Sequence, residues 1–129
     1  MIHPNHGNNA RLTASNLTPL TPAVFHILLA LADGQKHGYA IMKQVNADGG
    51  SSLRMGPGTL YGSLQRMEAA GLVEELEVDH SASTEDRRRY YRLTASGQRA
   101  LGAELARLRH ALSAAKKKGL SIPARDAAR

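Results

Sequence analysis

The sequence predicts a mostly helical α+β fold, a winged helix-turn-helix (three helices plus a two-stranded wing) with a long C-terminal dimerisation helix. Three observations carry the prediction. Three helical patterns follow one another before residue 71, the first and third with Thr-Pro or Gly-Pro near the start and glycine at the stop. Two stretches of period-two alternation come next, around 72–78 and 88–93, joined by the polar loop HSASTED. Leu101, Leu105, Leu108 and Leu112 then recur at spacings of four and three, a heptad-like seam about two heptads long.

Each element has its own signal. Residues 1–17 are rich in Asn, His, Gly and Ser without periodicity, and a disordered tail is expected there. Thr21 is suited to cap the first helix, with Pro22 at its first position and Gly34 at its end. Phe25, Ile27, Leu28, Leu29 and Leu31 leave that helix almost no polar face, so part of its cover is expected from a second chain. The second helix is expected over 38–46, with Ile41, Met42 and Val45 buried. A short strand is predicted at 53–55 and the third helix over 57–70. In the hairpin, Leu72, Leu76 and Val78 are expected on one face and Glu75 and Glu77 on the other. Tyr91 and Leu93 oppose Arg88, Tyr90 and Arg92 in its second strand. Thr94 starts the long fourth helix. The winged-helix domain is thus expected over 18–94, the dimerisation helix over 95–118 and a second disordered tail over 119–129.

Composition bounds the function. The 129 residues are 42% apolar, enough for one domain with a small core. Lys and Arg number 17 against 11 Asp and Glu, and the surplus of +6 favours polyanionic partners. Without cysteine there are no disulfides, thiolate metal sites or thiol catalysis. No basic-then-apolar signal segment is visible, and the longest apolar run, 27–32, cannot span a bilayer. A soluble, cytoplasmic protein is expected. The six histidines show no metal-ligand spacing. No Gly-x-Ser-x-Gly elbow or nucleotide-binding glycine loop occurs, so neither enzyme activity nor a cofactor is expected.

On the third helix, Leu60, Leu64 and Met67 share one face. Thr59, Gly62, Arg66 and Ala69 share the opposite one, flanked by Tyr61, Gln65 and Ser63. Small residues there permit close approach, and Gln65 and Arg66 have the reach and donors for base edges. Thr59 and Tyr61 offer hydroxyls to phosphates, and the first helical turn offers free N–H groups. A merely solvated face is the competing reading. Arg87 and Arg88, where the wing loop meets its second strand, suit a phosphate track, although Glu75 and Glu77 could instead neutralise Arg88 and Arg92. Tyr39 suits a phosphate contact or a half-buried packing role.

The stretches LTPAVFHILLALADGQKHGYAIMKQV, PGTLYGSLQRMEAAGLV and RRRYYRLTASGQRAL, spanning about residues 17–112, together resemble the PadR-like transcriptional regulators. The resemblance implies a dimeric winged-helix repressor that binds an inverted-repeat operator in double-stranded DNA. It implies dimerisation through C-terminal helices and release by small aromatic or lipophilic effectors. It makes Tyr39, Thr59 and Tyr61 backbone contacts. The single short C-terminal helix resembles the smaller subfamily, which places any effector pocket near the dimer interface. The alternatives are a winged-helix protein-interaction module without DNA binding, and a small-ligand sensor.

Overall fold

The computed structural model describes residues 19–50, 53–76 and 89–123. Its elements follow as α1 (Pro22–Ala30), β1 (Lys36–His37), α2 (Gly38–Asp48), α3 (Pro57–Ala69), β2 (Val73–Leu76), β3 (Tyr90–Leu93) and α4 (Ala95–Lys117). The N-terminal tail, Glu77, Val78, the wing loop with Arg87 and Arg88, and residues 124–129 lie outside the described residues.

Helix starts follow side-chain chemistry. Thr21 Oγ1 accepts from the Val24 N–H at 3.2 Å, and Pro22 occupies a position whose N–H would find no helical partner. His37 Nδ1 accepts from the Ala40 N–H at 3.2 Å, so an imidazole caps α2. Thr94 Oγ1 accepts from the Gly97 N–H at 3.0 Å and donates to the Gly71 carbonyl at 2.5 Å. α1 ends earlier than predicted, at the Leu31 C-cap, and Gly34 (φ 141°) turns the chain beyond it. α2 runs two residues further than predicted, and α3 stops one residue short.

α1 lies at the centre, touching α2, α3 and α4. Its Ile27 and Leu28 are fully buried with Ile41 and Val45 of α2, Leu60, Leu64 and Met67 of α3, and Leu72 of the following turn. Met42 is half-buried at the core's edge. Phe25 and Leu29 are also only partly covered.

The sheet has three antiparallel strands in the order β1-β3-β2, one more than the predicted hairpin. Lys36 pairs with Tyr91 and His37 with Tyr90. The strand predicted at 53–55 does not form, because the Asn46 side chain takes both the N–H and the carbonyl of Met55. The hairpin register also corrects the expected partner of Arg92, whereas Glu77 and Arg88 lie outside the described residues. Glu74 lies opposite Arg92 and binds it at 2.6 Å, while Glu75 lies 3.5 Å from Arg89. Leu72 belongs to the turn, so the core-facing side of β2 is that of Val73 and not that of Leu76. Tyr91, on the same side, is buried, which raises its hydroxyl pKa, and Glu75 adds to the rise.

Gly97 joins α4 to the turn that leads into this sheet. A β-carbon there would sit 2.0 Å from the Leu72 carbonyl oxygen, which also accepts the Thr94 N–H at 3.1 Å. Only a residue without a side chain lets the helix start that close.

Candidate nucleic-acid interface

α3 buries Leu60, Leu64 and Met67, as their spacing predicts. Ser63 is buried with them at 1% exposure. It therefore leaves the set of outer-face contacts: it falls three residues after Leu60 and four before Met67, inside the apolar stripe. Its hydroxyl accepts from Arg66 Nη2 at 3.3 Å. Thr59, Tyr61, Gln65 and Arg66 are exposed, and Gly62 is half-buried among them. A β-carbon at Gly62 would meet only Arg66 Nη1, at 3.7 Å, an ordinary contact. The chain's own packing thus gives no reason for glycine here, although glycine inside a helix costs about 0.5–1 kcal/mol relative to alanine. α3 also differs from α1, α2 and α4 in its cap: Gly56 makes no side-chain bond to its first turn.

The fold brings the start of α2 against this face. The Tyr61 hydroxyl lies over Gly38, where a β-carbon would sit 2.1 Å from it. Tyr39, the next residue, is 60% exposed, so it is not a packing residue. One turn on, Lys43 Nζ stands 5.7 Å from the Tyr39 ring centre. Lys36 is engaged differently: it binds Asp33, and that hydrogen bond holds the Asp33 carboxyl below its ordinary value. Lys43 was missed from sequence; its signal was the four-residue spacing from Tyr39, which puts both on one helix face.

α4 divides into two halves. Gly97, Ala100, Leu101 and Glu104 are buried. Leu101, expected in the dimer seam, packs instead into the protomer's own core, because it faces α1 and the hairpin end. Leu105, Leu108 and Leu112 are 42%, 41% and 38% exposed. Glu104 accepts from the Leu20 N–H at 3.4 Å and binds Arg107.

Three helices, a small antiparallel sheet and a long closing helix with an exposed α3 face define a winged-helix transcription regulator. The fold matches a PadR family regulator from Clostridium difficile at TM-score 0.64, with 28% identity over 75% of this chain and 97% of that one. It also matches the Bacillus subtilis PadR structure solved with operator DNA, at TM-score 0.57 and 18% identity, covering 82% of this chain and 51% of that one. Two curated relatives match over 78 residues, and the matches span 20% and 65% of their lengths. The second, transcriptional regulator Rv3488 of Mycobacterium tuberculosis, is 41% identical over 59% of this chain. Residues 27–103 match the Transcriptional regulator PadR-like family, and the chain belongs to that family. Among the described residues, no helix is long and apolar enough to cross a membrane.

Proposed function

We propose that the protein is a sequence-specific, homodimeric DNA-binding repressor acting in the cytoplasm. The observation that carries the reading is the outer face of α3. It combines a glycine that internal packing does not require with exposed Thr59, Gln65 and Arg66, and it adjoins Tyr39, Tyr61 and Lys43. In this reading α3 lies in the major groove, where Gln65 and Arg66 read base edges and Gly62 permits close approach. Thr59, Tyr39, Tyr61 and Lys43 hold phosphates, together with the uncapped first turn of α3. Arg87 and Arg88 of the wing grip the flanking backbone. Leu105, Leu108 and Leu112 pair two protomers, so that two α3 helices meet an inverted repeat. Release by a small aromatic or lipophilic compound completes the proposal, supported by the apolar surface left open on α4 and half-open at Phe25 and Leu29.

The test uses a duplex selected from a randomised pool by the full-length protein, and a scrambled control. Arg66→Ala is expected to weaken binding to the selected duplex by about tenfold and to the control far less. Arg88→Ala is expected to weaken both alike. Equal losses from the two variants sink the assignment of roles. A thermal-shift screen with planar aromatics tests the effector, and an unmoved melting temperature throughout the screen counts against it.

A further inference from the structure

DNA reading by α3 depends on how the helix is aimed, and residues 53–56, which lead into it, have no regular secondary structure. The Met55 side chain anchors them in the core, and two further contacts hold them. Leu53 packs over Gly49, where a β-carbon would sit 2.7 Å from the Leu53 β-carbon. The decisive one is Asn46, half-buried near the end of α2. Its Oδ1 accepts the Met55 N–H at 2.7 Å, and its Nδ2 donates to the Met55 carbonyl at 3.1 Å. One planar amide thus satisfies both backbone groups of a residue two positions before Pro57. Met55 itself is 4% exposed, so its backbone groups have little recourse to water. Beyond it, no side-chain cap at Gly56 corrects the direction of α3. Aspartate lacks the donor for this clamp, alanine lacks both groups, and the hydrophobic core does not use Asn46.

We infer that Asn46 is a positioning residue for DNA recognition: it sets the pose of α3 by clamping the backbone of Met55 and does not itself contact DNA. The inference rests on the DNA reading above. A pose error displaces Gln65 and Arg66 from base edges, whereas the sequence-independent attraction between phosphates and the cations outside α3 is far less sensitive to it.

The test compares wild type, Asn46→Ala and Asn46→Asp as full-length proteins, at a temperature where circular dichroism shows each fully folded. Binding is titrated on the selected duplex and on its scrambled control. Asn46→Ala is expected to weaken the selected duplex by about tenfold, the loss of about one base-edge contact, and the scrambled one by less than about twofold. Asn46→Asp keeps the 2.7 Å bond but sets a carboxylate oxygen against the Met55 carbonyl that Nδ2 now meets at 3.1 Å, and it is also expected to lose discrimination. Its added charge affects both duplexes and cancels in their ratio. If Asn46→Ala fails to fold, the ratio for Asn46→Asp decides. A wild-type ratio, or equal loss on both duplexes, overturns the positioning role. Failure of the wild-type protein to bind any duplex in a salt-dependent manner overturns the DNA reading itself.

Discussion

The outer face of α3 and the far half of α4 are both left open by the chain, and they differ in every chemical respect. The α3 face is small and polar, with Thr59, Gly62, Gln65 and Arg66. The α4 surface is large and apolar, with three leucines each about two-fifths exposed. Water satisfies the first at no cost, so its partner is needed for function alone. Water disfavours the second, and residues 105–117 would otherwise stand as an isolated helix of marginal stability. The difference teaches that, in the function proposed above, the two surfaces answer to different partners: a polyanion for one, a like apolar face for the other. Substitutions should therefore divide into those that change assembly and those that change recognition.

The largest expected effect breaks the apolar surface. Leu108→Asp places a charge in the seam and should convert a dimer to a folded monomer, as read by light scattering. Affinity for the selected duplex should fall by about 10²-fold or more, because two half-sites are no longer held by one particle. A variant that remains dimeric would remove α4 from the interface.

Glycines sharpen the comparison next. Gly97→Ala forces a β-carbon against the Leu72 carbonyl, which is fixed by its bond from Thr94, and should cost about 3 kcal/mol in a denaturation midpoint. Gly62→Ala should do the reverse to stability, raising it by about 0.5–1 kcal/mol, while weakening operator binding by about tenfold. Opposite signs at Gly62 would separate a recognition glycine from a packing glycine. A Gly62→Ala protein that binds as tightly as wild type would show that nothing approaches this face closely.

Much of this was legible beforehand, for physical reasons. Thr21 and Thr94 cap helices through hydroxyl bonds to the next turn, and Leu60, Leu64 and Met67 repeat with the helical period. Such signals are local. What was missed depends on distance or on residue type. β1 is two residues long, too short to show a period, and exists because β3 offers it a free edge. The Asn46 clamp spans nine residues and uses a polar side chain whose partner is backbone. Ser63 lies within the apolar stripe by position, and its small size groups it with the residues that permit close approach. Lys43 reads as any surface lysine until Tyr39 is seen beside it.

The smallest effect lies at Glu104, where the covered half of α4 gives way to the open one. Its carboxyl is held below the ordinary value of 4.5, first by the hydrogen bond from Arg107 and then by the Leu20 N–H, against the opposing effect of burial. A depressed folded value stabilises the fold fully above pH 4.5, and that contribution is lost as pH falls through the folded value. Glu104→Gln keeps the shape and part of the hydrogen bonding, so it should cost about 1 kcal/mol at neutral pH. It should also flatten the acid limb of a melting-temperature profile below pH 4.5. Because Arg107 is half in solvent, added salt should narrow the gap between the two proteins. Dimerisation and DNA affinity should be unmoved at neutral pH, since Glu104 is buried and its carboxyl is taken up by the Leu20 N–H and Arg107. A Glu104→Gln protein that turns monomeric would extend the partner surface one turn towards the core and redraw the boundary between the two halves of α4.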